Sequence, residues 1–443
     1  MRKDTNYYGN EKISKILFEI APPVMLSQLI QALYNIVDSL FVGQYSSNGL
    51  TALSIIYPLQ LLMIAFAVGT GVGINTSMAR YLGSNNKKRA HIVSGLAIPL
   101  ALLLWIVCAI IAFFAMPYYA QSSTQNPEII QDIIVYGRII VVFGFGLFLE
   151  SIFSKVLQSY GDMKTPMIAQ IVGAITNIIL DPILIFGSFG IPSLGIAGAA
   201  IATVIGQIIA ALIVGIKAYT KPCSLKEHAL EVKRIYKLGI PNILMQSAYT
   251  FYILGLNLIL STFSDQAVTA LGLFYKWQTF FFIPLGALQT CIVPIISYNY
   301  AANQIQRCKK TLHLALITGL ILMGIGMMCF EILPHTMLAF FSSDPKVIKI
   351  GTYGFRLIGS SFFPMVTSLI FPVFFQSIGY AIKSSMLTIL RTVVLFVPLG
   401  YLFAQFSLHA FWLTFPITET LTSIVGAFFY LNFIQKLKLS YKK

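Results

Sequence analysis

Charge is what this chain has least of. Only 10% of its 443 residues are charged, while 57% are hydrophobic; a soluble domain carries about 25% charged residues. That shortage excludes an ordinary water-facing surface. Acids are the scarcer sign, 15 Asp and Glu against 30 Lys and Arg, for a net charge of +15. Cysteine is also scarce. Cys108, Cys223, Cys291, Cys308 and Cys329 form no C-x-x-C pair, which argues against a zinc or redox motif and leaves packed free thiols. The five histidines are scattered, and no Ser-His-Asp or metal-ligand cluster appears, so an enzyme is not expected. A phosphate-cradling loop is missing too. Gly161-Asp162-Met163-Lys164-Thr165 lacks both the leading glycine and the glycine before lysine. Gly69-x-Gly71-x-Gly73 lies inside an apolar run, where close helix packing explains it better than a dinucleotide. Without an ATP site, uphill work would have to draw on an ion gradient. The polar start up to Lys12 precedes no small-residue cleavage site, so no removable signal peptide is expected.

What is present is apolar length, and it is present twice. Runs long enough to cross a bilayer, roughly 20 residues each, recur at 14–44, 50–79, 90–116, 130–157, 165–187 and 195–217. They recur again at 237–262, 268–298, 310–332, 350–375, 384–405 and 411–436. Continuous runs of this kind span lipid as helices, so the fold class expected is an all-α polytopic membrane protein with twelve transmembrane helices. One constant offset carries Pro23 onto Pro241, Gln28 onto Gln246, Tyr34 onto Tyr252 and Tyr57 onto Tyr275. It also carries Thr51-Ala52-Leu53 onto Thr269-Ala270-Leu271, and Gln158-Ser159 with Gly161 onto Gln376-Ser377 with Gly379. The chain is therefore a duplicated six-helix unit, an organisation that points to a transporter with parallel repeats. The expected division is an amino-terminal lobe at 1–216, a crossover at 217–237 and a carboxyl-terminal lobe at 238–443. A short surface helix is expected near Leu225–Tyr236.

Basic residues sit in alternate loops. Arg80, Lys87, Lys88 and Arg89 follow the second run. Lys217, Lys221, Lys226, Lys233, Arg234 and Lys237 fill the crossover, Arg307, Lys309 and Lys310 follow the eighth run, and Lys436, Lys438, Lys442 and Lys443 form the tail. The other loops hold almost none, with Lys346 and Lys349 as exceptions. Positive-inside bias predicts a multi-pass protein of the cell membrane with both termini in the cytoplasm. No basic region stands apart from the membrane, so nucleic acid is not an expected partner.

Asp38 and Asp181 fall deep inside apolar runs, where ionisable groups are costly and mark function. Asp38 shares a helix face with Tyr34, four residues before it, and Asn35 flanks that face. Asp181 pairs in the same way with Asn177, and Pro182 removes the hydrogen bond to the carbonyl of Ile178. Carboxylate, amide and freed carbonyl oxygens suit a hard cation such as Na⁺ at Asp38, Asn177 and Asp181, or a proton held on the same network. The repeat-related positions are Leu256 and Leu399. The second half lacks these acids, so ion coupling is expected in the first.

These strings carry a family likeness. Asn35-x-x-Asp38-x-x-Phe41-Val42-Gly43, Asn177-x-x-x-Asp181-Pro182-x-x-Ile185-Phe186-Gly187 and Gln158-x-x-Gly161-Asp162 resemble the multidrug and toxic compound extrusion (MATE) transporters over the whole chain. The resemblance implies a V-shaped pair of six-helix bundles and efflux of lipophilic, chiefly cationic, drugs in exchange for H⁺ or Na⁺. It also implies an ion site of Tyr34, Asp38, Asn177 and Asp181, with Thr203 the nearest candidate for a further hydroxyl. Family members with acids in spans seven and ten are not matched, since the span-seven region offers Gln246 and the span-ten region none. The alternatives are a lipid-linked oligosaccharide flippase of the same superfamily and an exporter of an anionic metabolite.

Other intramembrane charges occur in both halves. Lys276 and Glu419 are expected to neutralise each other, the alternative being that Lys276 faces the cargo cavity; Arg391 lies nearby in span eleven. Glu150 and Lys155 read as a structural or solvated pair. The cavity is expected to be lined by Tyr57, Gln246, Tyr252, Tyr275, Lys276, Trp277, Arg391 and Glu419, aromatics that would hold flat cations. No cofactor beyond the coupling ion is expected. The partners expected are a small-molecule cargo and membrane lipid, with the chain working as a monomer.

Overall fold

In lipid every backbone N–H and C=O must be satisfied within its own segment, so long apolar runs become helices. The computed structural model describes residues 7–187, 190, 192–342 and 344–440, with the side chains of 438–440 left aside. Lys438, Lys442 and Lys443 of the basic tail therefore lie outside the described side chains. No strand occurs among the described residues. In the first half the helices are α1 (Tyr7–Asn10), α2 (Ile13–Tyr45), α3 (Ser47–Gly83), α4 (Lys87–Gly95), α5 (Ala97–Ser123), α6 (Pro127–Val142), α7 (Phe145–Ser159), α8 (Lys164–Phe186) and α9 (Ile196–Ala218). The second half has α10 (Ala229–Ser261), α11 (Asp265–Ala301), α12 (Ile305–Ile332), α13 (Pro334–Ala339), α14 (Pro345–Ser360) and α15 (Phe362–Ser377). It continues with α16 (Ala381–Ile389), a π-helical segment (Leu390–Phe396), α17 (Val397–Ala404), α18 (Leu408–Phe411) and α19 (Thr414–Ser440).

Among the described residues, ten helical segments are long and apolar enough to cross a membrane on their own, and two bent pairs bring the number to twelve. The bends are what the sequence hid. Spans four and ten are each two helices, α6 with α7 at 45° and α14 with α15 at 53°. The expected separate helix near Leu225–Tyr236 is also corrected. Helix α10 starts at Ala229 and runs unbroken into the seventh span.

The duplication reaches backbone detail. Asn85 and Asn303, repeat-related and neither a glycine, both adopt positive φ, 56° and 59°. Gly161 and Gly379 both sit at φ 83°, each donating its N–H to the carbonyl of a repeat-related glutamine, Gln158 or Gln376. A left-handed residue there ends the helix and turns the chain sharply, which is the role glycine fills at a helix C-terminus.

The chain divides into two compact units, Met1–Ile243 with Ser297–Asn303, and Leu244–Ile296 with Gln304–Lys443. In the first, the short return segment is tied down by Asn299 Nδ2 donating to the Tyr8 carbonyl at 3.0 Å. Its core is built by α8 against α9 and α2, and by α7 against α3 and α9. The second unit is cored by aromatics: Phe330 stacks on Phe355 at 4.9 Å, and Phe274 meets Phe330, Phe355 and Phe415 edge-on.

Candidate functional site: buried carboxylates of the first unit

Helices α8 and α9 approach closely on both sides of one polar level. A Cβ at Gly206 would stand 2.7 Å from the carbonyl oxygen of Gly173, and one at Gly198 would stand 2.5 Å from that of Leu184. Only glycine allows backbones so near. Between these contacts, Asn177 and Asp181 on α8 face Thr203 on α9. Asn177 Nδ2 donates to Asp181 Oδ1 at 3.2 Å and lies 3.4 Å from Thr203 Oγ1. The three residues are buried, Asp181 completely. Helix α2 closes the level from the other side, packing on α8 and bringing in Asp38, which is 7% exposed.

Three oxygens here have no hydrogen-bond partner among the described residues: Asp38 Oδ1, Asn177 Oδ1 and Asp181 Oδ2. Leaving one such buried atom unmet costs about 1–3 kcal/mol, and more for a charged group. Asp38 and Asp181 also lie within electrostatic range of each other, so two negative charges at this level need a proton or a cation between them. The donor set is all hard oxygen, which fits Na⁺ or H⁺. No group of three or more His, Cys, Asp or Glu suited to a metal occurs among the described residues.

Tyr34 is half-buried and in electrostatic range of Asp38 and Asp181, on the expected side of α2. Asn35 is exposed, off the buried level. The sequence reading missed Tyr136 on α6. It is buried and in electrostatic range of Asp38 and Asp181, with Gln60 Nε2 3.5 Å from its hydroxyl. No repeat signal marks it, because its counterpart is Gly354. Glu150 accepts from Ser154 at 2.8 Å and from Gln170 at 3.5 Å, with Lys155 in electrostatic range.

The residues expected around a cargo cavity divide differently. In the first unit Tyr57 is 49% exposed. In the second, Arg391 and Glu419 form a fully buried ion pair. Arg391 Nη2 is 2.6 Å from Glu419 Oε1, its Nε donates to both carboxylate oxygens at 3.1 and 3.0 Å, and the Ser368 hydroxyl adds a further bond. The pairing of Lys276 with Glu419 is thus corrected. Glu419 is occupied by Arg391, while Lys276 is exposed with its ammonium 5.1 Å from the Phe341 ring. Arg391 lies in the π-helical turn, a device recurrent at functional sites, and lies over Tyr252 and Phe396, which stack at 4.6 Å. The Tyr275 hydroxyl is buried and unpartnered, Gln246 is half-buried, and Trp277 donates to the Met337 carbonyl at 3.0 Å.

A duplicated, all-helical membrane protein with a carboxylate pair buried in one repeat belongs to the class of polytopic transporters, not to enzymes. The chain belongs to the MatE family, whose model matches residues 23–183 and again 241–402. The two matches begin at Pro23 and Pro241, a pair that the internal repeat superimposes. Among curated relatives, the multidrug export protein MepA of Staphylococcus haemolyticus (strain JCSC1435) is 26% identical over 430 residues, 95% of this chain and 94% of its own length. The FAD transporter of Shewanella oneidensis MR-1 is 26% identical over 433 residues, 95% of each. Among solved structures, a MATE protein in the bent conformation superimposes with a TM-score of 0.91 at 22% identity, covering 100% of both chains. An outward-facing multidrug resistance MATE transporter of the MOP superfamily gives 0.91 at 23% identity, covering 98% of this chain and 99% of its own.

Proposed function

We propose that the chain is an ion-coupled efflux antiporter that exports lipophilic, chiefly cationic, drugs from the cytoplasm by alternating access. Asp38 and Asp181 take up the coupling ion, H⁺ or Na⁺, with Asn177, Tyr34 and Thr203 completing the oxygen set. The observation that carries this reading is the trio of buried, unpartnered oxygens on Asp38, Asn177 and Asp181. The ion's higher affinity for one arrangement of the first unit drives the exchange. The alternate basic loops support a plasma-membrane orientation with both termini in the cytoplasm. The chain works as a monomer in contact with membrane lipid.

The multidrug export relative supports a drug cargo. The FAD transporter relative supports a second reading, export of an anionic metabolite through the same ion site. The test is efflux of a fluorescent lipophilic cation from cells with Na⁺ and pH gradients imposed separately. Efflux that follows one gradient and is lost in Asp38→Asn is the expected result. No cation efflux under either gradient would overturn the cationic cargo and favour the anionic one.

A further inference from the structure

Each unit carries an open cavity, and the two are built from repeat-related positions. The first, of about 530 Å³, lies where α2 turns into α3, beside the start of α6 and the approach to α9. Ser46, Asn48, Glu128, Gln131 and Asp132 line it. The second, of about 390 Å³, lies where α10 turns into α11, beside the start of α14 and α18. Its lining includes Ser264, Gln266, Lys346, Lys349 and Ile350, the repeat counterparts of those five in the same order. The geometry is duplicated and the charge is reversed. Glu128 and Asp132 in the first unit correspond to Lys346 and Ile350 in the second, and Lys349 replaces Gln131.

The second cavity is equipped for an anion. Lys346 and Lys349 stand one helical turn apart on α14, both exposed, and neither has an acid partner among the described residues. Of the acids close by in sequence, Asp344 accepts the Lys346 backbone N–H at 2.8 Å, and Asp265 stands between the lining residues Ser264 and Gln266 at the start of α11. His409, edge-on to Tyr353 at 4.4 Å, and buried Trp412 also line the cavity. Helix α18, whose Leu408 and His409 line the cavity, follows an exposed apolar stretch of chain. Phe406 is 77% exposed and Tyr401 62%, both just ahead of α18. These two lysines are also the exceptions to the basic-loop pattern of the sequence, so orientation in the membrane does not account for them.

We propose that this cavity of the second unit binds a phosphate group, supplied by an anionic phospholipid headgroup whose acyl chains lie against Phe406 and Tyr401. Lys346 and Lys349 contact the phosphate oxygens and His409 bounds the site. The site is independent of the coupling ion and of the cargo. Charge–headgroup attraction of this kind weakens in high salt.

The test is native mass spectrometry of the purified full chain titrated with phosphatidylglycerol, alone and against inorganic phosphate. Compared with wild type, Lys346→Gln/Lys349→Gln should bind the tightest lipid about tenfold more weakly, while Lys346→Arg/Lys349→Arg should retain it. If inorganic phosphate displaces that lipid, the phosphate group alone suffices and a free anion is an equal ligand. If it does not, the acyl chains contribute and the lipid is the ligand. Equal lipid occupancy in wild type and the glutamine variant would overturn the proposal, whatever the efflux experiment shows.

Discussion

In the first unit, Asp38 and Asp181 leave carboxylate oxygens unbonded in a buried level of α2, α8 and α9. In the second, Glu419 has both oxygens engaged by Arg391 and one also by Ser368. The positions that would hold the second unit's own acids are leucines. Leu256 is fully buried and fills the space beside Gly400. One ancestral bundle has therefore taken two solutions to intramembrane charge. An open set of oxygens can gain and lose a small cation. A closed ion pair cannot do so without leaving a bare charge in low dielectric, which costs several kcal/mol. The first arrangement suits exchange, and the second suits a fixed scaffold for the Tyr252–Phe396 stack.

The sharpest way to break this contrast is to neutralise the open acids. Asp38→Asn or Asp181→Asn should reduce ion-driven efflux to background, with the protein still eluting as a folded species on size exclusion. Wild-type efflux in either variant would remove the functional meaning of the difference. Next in size is the closed pair. Arg391→Met or Glu419→Gln should destabilise the protein by about 3–5 kcal/mol, read as a lower Tm in detergent, and the double replacement Arg391→Met/Glu419→Leu should recover most of it. If the single variants keep their Tm and instead change the ion requirement, the second unit is an ion site too. A smaller effect is expected at the edge of the open set. Asn177→Ala should raise the ion concentration for half-maximal efflux by about tenfold. The smallest belongs to Thr203→Ala, about threefold, because its contact with Asn177 is long at 3.4 Å. A larger loss at Thr203 than at Asn177 would reverse their proposed ranks.

Much of the architecture was legible in the sequence because lipid leaves the chain little choice. Twelve apolar runs and a constant offset become crossings and a duplicated fold, down to the paired left-handed Asn85 and Asn303. The bends between α6 and α7 and between α14 and α15 went unread, although Gly144 at the first break and Gly359-Ser360-Ser361 at the second are the kinds of residue at which helices kink. Asp38, Asn177 and Asp181 could be picked out because polar groups four residues apart in an apolar run share a helix face. Tyr136 could not, as a single tyrosine in a chain with 22 of them carries no signal. The Lys276–Glu419 expectation failed for a geometric reason. The choice depended on which way α11 faces, and Lys276 is exposed beside Phe341 while Arg391 is buried in a π-helical segment that no pattern announces.

Movement of the ion itself tests the central claim most directly. Purified protein in proteoliposomes would be given a gradient of a fluorescent lipophilic cation, while lumenal pH and radioactive sodium are followed in parallel. The account predicts that the wild-type protein moves one of the two ions against the cargo, that Asp38→Asn/Asp181→Asn moves neither, and that Arg391→Met/Glu419→Leu, once folded, exchanges normally. Ion exchange that survives loss of both aspartates, or that disappears with the arginine–glutamate pair alone, would contradict it.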